Sequence, residues 1–519
     1  MKLLKSTATV GSATIISRIL GFVRDVVLAK MFGASGETDA FFLAFKIPNF
    51  MRRLFAEGSF SLAFVPVLSE YKANGDRQAL RDLVDHVTGT LAAVLLVLTA
   101  IGILAAPLVL SVFAPGWLAN DRPEFNLSAG MLRITFPYIM LISLTALAGG
   151  ILNTFERFLV PALTPILLNL SLIASALLLA DHLEVPVTAL AWGVLAAGFA
   201  QLLIQIPALM KLGLMPRPRW GWRHSGVRRI IKLMIPTLFG SSVAQVNLLV
   251  DSIIATFLAV GSVSWLYYSD RLLEFPLGVL GIALATVILP NLSQKHAKAS
   301  TAEFSATLDW ALRLAVIITV PAAVGLIILA GPILITLFQY DAFQLDDVRM
   351  SAYSLVAYST GLPAFIAVKV LAPGYYARQD TKTPVKIAIA AMVTNMGLNL
   401  LFVGLLLQYG FEGPHAGLAL ASSAAAYLNA MLLFRGLRKR KVYLPERGWI
   451  RLWIAVILAS LAMGCLLYFM THDINSWYQA GVGLRVKNLS LSIAFGVIIY
   501  IFTCMVAGIK THDLLRGAK

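Results

Sequence analysis

Apolar residues run through this chain in blocks long enough to cross a lipid bilayer, and they recur to its end. Such blocks fall at residues 9–30, 38–68, 84–113, 130–153, 159–180, 187–210, 230–258, 263–291, 309–337, 351–376, 384–408, 414–435, 450–470 and 488–508. A helix of about 20 residues, rising 1.5 Å per residue, covers the ~30 Å hydrocarbon layer. Within that layer a helix satisfies its own backbone, and an open sheet edge does not. The pattern therefore predicts an all-α, polytopic membrane protein of about fourteen transmembrane helices.

Composition agrees with the pattern. The 519 residues are 59% hydrophobic and 13% charged, with a mean hydropathy of +0.81, which excludes an ordinary soluble enzyme. The formal net charge is +16. In a soluble protein that excess would point to nucleic acid. Here most loop Lys and Arg lie on the side of the N-terminus, which makes both termini cytoplasmic and nucleic acid an unneeded partner. The opposite loops, NDRPEFN, ADHLEVP and YDAFQLDD, are acidic or neutral. In two inner loops, KLGLMPRPRWGWRHSGVRRIIK and RGLRKRKVYLPERGWIR, basic residues alternate with Trp220, Trp222 and Trp449. They read as interfacial anchors, with contact to an anionic headgroup as the other reading. Arg18 and Arg24 interrupt the first apolar run, so no removable signal peptide is expected.

Those arginines are the exception that matters. The first span, ISRILGFVRDVVLAKMFG, and the second, DAFFLAFKIPNFMRRLFAEG, carry Arg18, Arg24, Asp25, Asp39, Lys46, Arg52, Arg53 and Glu57. A charge at the bilayer centre costs roughly 2.5–3.5 kcal/mol on insertion scales, so these groups are expected to face protein or a wet cavity. Lys46 falls roughly 10 Å and Arg52 roughly 20 Å from the outer end of their helix. Asp39, Lys46 and Arg53 are spaced by seven and share a face. Arg53 and Glu57, spaced by four, can pair. Arg18 and Asp25 share a face, and Arg24 points elsewhere. The eighth span adds Asp270, Arg271 and Glu274 on one stripe. Cations in excess of carboxylates suggest an anionic visitor, and the guanidinium fork suits phosphate oxygens. Plain internal salt bridging is the alternative, though buried pairs contribute little to stability.

DAFFLAFKIPNF…AFVPVLSEYK and WLYYSDRLLEFP…TVILPNLSQKH form a weak internal repeat. It divides the chain into an N-lobe (1–212, spans 1–6), a C-lobe (213–440, spans 7–12) and two appended spans (441–519). Repeated halves around a midplane site are a transporter signature. Pro48, Pro236, Pro276, Pro321 and Pro363 interrupt spans, and Gly58, Gly278 and Gly281 allow bending or close approach. A quieter set, Asp251, Asn395 and Asn399 with Ser422 or Ser423, could hold Na⁺ or take a proton, or the Asn pair could simply join helices.

Chemistry-bearing motifs are missing: no H-E-x-x-H, G-x-S-x-G, C-x-x-C or G-x-x-x-x-G-K-[ST] occurs. The seven histidines are scattered along the chain, which argues against a metal site, and Cys465 and Cys504 lie in late apolar spans. No enzyme activity and no cofactor are expected. With no nucleotide-binding domain, energy has to come from an ion gradient, the membrane potential or the substrate.

The stretch SRILGFVRDVVLAKMFGASGETDAFFLAFKIPNFMRRLFAEGSFSLAFVPVLSEYK resembles the opening of the MurJ (MviN) family. WLYYSDRLLEFPLGVLGIALATVILPNLS and KVLAPGYYARQDTKTPVKIA resemble two further stretches of it. The resemblance runs in order over nearly the whole chain, without departure in the charged motifs. It implies fourteen helices in two pseudo-symmetric lobes within an exporter superfamily of drug antiporters and polysaccharide-lipid flippases. It implies a flippase that moves lipid II, the undecaprenyl-pyrophosphate-linked peptidoglycan precursor, across the bacterial inner membrane. Arg18, Arg24 and Asp25 match the family's first-helix charges, Asp39 its DAFF start, Arg52 its second-helix arginine, and Arg271 its DR arginine. By resemblance, Arg24, Arg52 and Arg271 meet the pyrophosphate, supported by Arg18 and Asp39, and the last two helices form a groove for the lipid tail. The peptidoglycan synthesis machinery is a possible partner. A cation-coupled drug antiporter, another polyprenyl-linked glycan flippase of the superfamily, and a membrane enzyme acting on a polyprenyl phosphate are the rival readings.

Overall fold

A computed structural model describes residues 2–53, 60–297 and 300–509, with side chains described except at 2–9, 236–248, 279–287 and 296–297. Glu57 and Gly58 lie outside the described residues, as do the side chain of Pro236 and the surroundings of Gly281. Among the described residues there is no strand.

Two compact units divide between Ser264 and Trp265. The first holds α1 (Lys2–Phe32), α2 (Gly36–Met51), α3 (Ser61–Ala73), α4 (Arg77–Leu104), α5 (Ala106–Phe113), α6 (Pro115–Ala119), α7 (Pro123–Thr135), α8 (Tyr138–Thr154), α9 (Leu159–Leu179), α10 (Thr188–Leu203), α11 (Ile206–Leu212) and α12 (Ser225–Ala255). The first turn of α13 (Ser262–Ala297) completes it. The second unit holds the rest of α13, then α14 (Thr301–Ile328), α15 (Ala330–Leu337), α16 (Leu345–Thr360), α17 (Leu362–Tyr376), α18 (Lys382–Gln408), α19 (Ala416–Lys439), α20 (Trp449–Thr471), α21 (Ile474–Gln479) and α22 (Val482–Val506).

Among the described residues, ten helical segments are long and apolar enough to cross a membrane by length and composition. The other four blocks expected from the sequence fall on α1, on α2 with α3, on α12 and on α13. Of these, α1 carries Arg18, Arg24, Asp25 and Lys30 within its apolar run.

The order of breaks repeats. In the first unit a 28-residue α4 stops at Ala105 and an 8-residue α5 follows. In the second, a 28-residue α14 stops at Leu329 and an 8-residue α15 follows. Proline explains both: Pro107 and Pro332 lack an N–H and crowd the carbonyl four residues back, which ends the preceding helix. The next helix is broken in both units too, at Phe136-Pro137 and at Gly361 just before Pro363.

A second correspondence joins loops to helices. Asp85 on α4 accepts from the Arg217 N–H at 2.8 Å, and its carbonyl accepts from the Arg219 N–H at 3.1 Å. Gly89 makes this possible, because a Cβ there would sit 2.2 Å from the Arg219 carbonyl oxygen. On α14, Asp309 Oδ1 accepts from Tyr443 Oη (2.7 Å), Trp449 Nε1 (2.8 Å) and the Glu446 N–H (3.2 Å). Arg313 Nε donates to its other oxygen at 2.6 Å. The local sequences are Leu83-Val84-Asp85-His86 and Thr307-Leu308-Asp309-Trp310. In each unit one acid on the first of these broken helices holds the loop that follows the last helix of the repeat.

The contact boundary falls one long helix later than the 212/213 boundary read from the repeat, because α12 packs on α3, α4, α5 and α6. The appended helices are also part of the second unit: α20 packs on α14 and α22, and Tyr500 Oη donates to the Ile317 carbonyl at 2.6 Å.

Candidate functional site

Arg24 and Asp25 are buried on α1, at 7% and 4% exposure. Arg24 Nε and Nη2 donate to Asp25 Oδ1 at 3.0 and 2.6 Å, and Nη1 donates to Asn169 Oδ1 at 3.0 Å. Asn169 Nδ2 donates back to the Ser17 carbonyl at 3.0 Å, so this amide ties α9 to α1 around the guanidinium. Helical spacing alone puts Arg24 and Asp25 in different directions. The long arginine side chain overrides that by folding back onto its neighbour. Arg18, between one and two turns earlier on the same helix, is exposed.

Asp39 lies in the first turn of α2, which Ser35 caps by accepting from the Thr38 N–H at 3.2 Å. Its carboxylate accepts from the Gly261 N–H (2.8 Å), the Ser264 N–H (2.7 Å) and Ser264 Oγ (2.5 Å). Gly261 has φ +94°, a left-handed turn that glycine adopts without strain. Asp39 thus holds the start of α13 in place. Two turns further along the same face, Lys46 Nζ donates to Ser252 Oγ on α12, beside the buried Asp251. The spacing of seven does bring both side chains to the segment 252–264.

After Met51 the helix widens into π-type turns at Arg52 and Arg53, both half-buried. Such turns recur at functional sites because they re-aim side chains within a helix. Arg52 Nε and Nη2 donate to Asn49 Oδ1 at 3.1 and 2.8 Å. Its side chain lines a cavity of about 300 Å³ within the first unit, with Ser61, Gly149, Asn153 and Thr164.

In the second unit, Arg271 Nη1 donates to Glu274 Oε2 at 2.7 Å, and its guanidinium lies 5.0 Å from the centre of the Tyr267 ring. Asn395 and Asn399 are buried between α18 and α19. Asn399 Nδ2 donates to Asn395 Oδ1 at 3.1 Å, and Asn395 Nδ2 to Ser422 Oγ at 3.3 Å. This network joins two helices, and Asp251 belongs to the other unit.

Sequence spacing missed Asn169, Asn49, Ser252 and Ser264, the neutral partners that hold the charges. Asn169 had a signal, a lone amide in the apolar run PILLNLSLI.

One expectation needs correction. Histidines scattered in sequence are not all scattered in space: Asp82, His86 and His224 place ligand-type atoms within 4.8 Å of one another. The hydrogen bonds oppose a metal there. Gly226 N–H donates to His224 Nδ1 at 3.2 Å, which leaves the ring proton on the Nε2 that faces Asp82 at 3.3 Å. Arg219 lies 3.9 Å from the same carboxylate. The cluster reads as a polar joint between α4 and the loop before α12.

The family profile described as "Lipid II flippase MurJ" matches residues 28–486. A protein of Vibrio cholerae described as "Probable lipid II flippase MurJ" is 47% identical, over 100% of this chain and 98% of its own. A protein of Burkholderia cenocepacia described as "Lipid II flippase MurJ" is 43% identical over 100% of both. A solved structure titled "Lipid II flippase MurJ, inward closed conformation" superposes with a TM-score of 0.79 at 28% identity, covering 96% of this chain and 98% of that one. An inward-facing multidrug transporter of the MATE family superposes with a TM-score of 0.65 at 15% identity, covering 82% and 94%, a likeness of fold.

Proposed function

The chain belongs to the lipid II flippase MurJ family, and from that premise we propose that it carries lipid II from the cytoplasmic to the periplasmic leaflet of the inner membrane by alternating access. It is a multi-pass membrane protein, with both termini proposed to be cytoplasmic from the loop charges. It is proposed to act as a carrier, without making or breaking covalent bonds.

The observation that carries this reading is the Arg24 site. A buried guanidinium is held by a carboxylate on its own helix and by the Asn169 amide on α9. Such a pair contributes little to stability. It does provide a cation whose partner can be exchanged. A diphosphate offers more acceptor oxygens and more charge than one carboxylate, and it competes for the guanidinium through bidentate bonds. Releasing Asn169 would loosen the tie between α1 and α9, which links occupancy to helix position.

Arg24, Arg52 and Arg271 are the groups proposed to meet the diphosphate, with Arg18, Asp25, Lys46 and Arg53 tuning them. Asp39 is proposed to act by fixing the turn at Gly261–Ser264. The last two spans are proposed to take the polyprenyl tail, and the peptidoglycan machinery is the proposed recipient of the product. The proposed energy source is the membrane potential, inside negative, acting on these cations; one charge across 100 mV is worth about 2.3 kcal/mol. A coupling ion, Na⁺ or H⁺, at Asp251 or at Asn395 and Asn399 is the second proposal. Flipping that depends on sodium or on a pH gradient at constant potential would favour it.

The test of function is purified protein in vesicles with labelled lipid II. Accelerated movement of the label between leaflets supports the reading, and movement no faster than in protein-free vesicles contradicts it.

A further inference from the structure

We propose that the cavity beside Arg52 is a subsite for the N-acylated sugar attached to the diphosphate, and that Gly149 and Asn153 make lipid II preferred over the bare polyprenyl diphosphate. This rests on the lipid II reading above and deepens it. The cavity, about 300 Å³, sits at the lower end of the roughly 300–1,000 Å³ typical of small-molecule sites. It lies within the first unit, among the end of α2, the start of α3, most of α8, the start of α9 and the α10–α11 junction. Among the described residues that line it, Arg52 is the only charged one and none is a carboxylate. The remaining polar lining includes the exposed Asn153 amide, Ser61 and Thr164. An arginine beside neutral donors and acceptors suits a sugar next to a phosphate.

Gly149 carries the argument further. Glycine inside a helix costs about 0.5–1 kcal/mol relative to alanine, so it needs a reason. Its neighbour Gly150 has one in packing, since a Cβ there would meet Phe64 at 3.2 Å. At Gly149 an added Cβ would meet Pro161 at 3.6 Å and Gln205 at 3.7 Å, ordinary contact distances. Its φ is not in the left-handed region either. Neither backbone nor packing demands glycine at this position. Pro161 and Gln205 line the cavity with Gly149, so the face of α8 that glycine leaves bare is turned toward it. Asn153 follows one helical turn later on α8, where an amide can both donate to and accept from a sugar N-acyl group or hydroxyl.

Full-length Gly149→Leu, Gly149→Ala and Asn153→Ala proteins in nanodiscs are measured for binding of lipid II and of undecaprenyl diphosphate, which lacks the sugar. Gly149→Leu and Asn153→Ala are each expected to weaken lipid II binding by roughly tenfold or more, the scale of one lost polar contact. Undecaprenyl diphosphate binding should stay within about twofold of wild type in the same proteins, which also reports folding. Gly149→Ala, which fits without a clash, should fall between. Lipid II binding unchanged in all three, or both ligands weakened equally, would overturn the subsite while leaving lipid II as the substrate. A wild-type protein that binds neither ligand would remove the lipid II reading, and the subsite with it.

Discussion

Arg24 donates two hydrogen bonds to a single oxygen of Asp25, the next residue in the chain, at 3.0 and 2.6 Å. Neighbours in a helix do not ordinarily face each other. Here the third guanidinium nitrogen donates to Asn169 on α9, so the fork is held from both helices. If Asp25 competes with the diphosphate, Asp25→Asn removes a charged acceptor and keeps the shape. Diphosphate affinity should rise by roughly tenfold, the scale of one charge-assisted bond, while flipping slows because release is impeded. Equilibrium binding together with vesicle flipping separates the two effects; weaker binding in Asp25→Asn would show that the carboxylate supports the ligand.

Arg52→Ala and Arg271→Ala are expected to abolish lipid II flipping in protein that still inserts and purifies normally. Lysine at either position should recover part of the rate, since it keeps the charge and loses the fork. Full activity of Arg271→Ala in the vesicle assay would remove that residue from the mechanism.

Asp39→Ala strips three hydrogen bonds from the turn at Gly261 and Ser264. Leaving those buried donors unmatched should cost about 1–3 kcal/mol. The expected outcome is a lower thermal midpoint in detergent, partly recovered in Asp39→Asn, whose amide oxygen can still accept. An unchanged midpoint in Asp39→Ala would mean the turn is held by other contacts.

Acid sensitivity should be modest on the loop between α17 and α18. Asp380 is held down to about 2, first by the Thr383 N–H and then by Arg440 and the Thr383 hydroxyl. A carboxylate whose folded pKa is depressed adds stability at pH above its unfolded value of about 4. That contribution fades as pH falls from about 4 toward 2. Because Asp380 is half-buried and its partner Arg440 is exposed, the pair is worth about 1 kcal/mol or less and weakens with salt. Asp380→Asn should therefore lower the midpoint slightly at pH 7 and not at all near pH 2. A large loss at neutral pH would contradict this.

The sequence makes the helices and the buried charges legible because both are local. Apolar runs fix span positions, and an arginine in such a run is costly wherever the helix ends up. The breaks after α4 and α14, at Pro107 and Pro332, are not among those read from the sequence, which takes 84–113 and 309–337 as continuous spans. Partners were harder to read, because they depend on which helices meet. Nothing near Arg24 names Asn169, which is 145 residues away. Nothing near Asp39 names Ser264, which is 225 away. His86 and His224 meet only because Asp85 and Gly89 dock the loop that carries His224 onto α4. The packing boundary at Ser264 is hidden for the same reason, since α12 lies beyond the 212/213 boundary read from the sequence yet packs on α3, α4, α5 and α6.

Arg24 is the group on which the carrier reading turns, so its variants give the most direct measurement. Wild type, Arg24→Lys and Arg24→Ala are reconstituted at equal density in vesicles, and the rate of labelled lipid II crossing is recorded for each. The account predicts a fast rate for wild type, a reduced rate for lysine and the protein-free background for alanine. An Arg24→Ala protein that flips lipid II at the wild-type rate would contradict it.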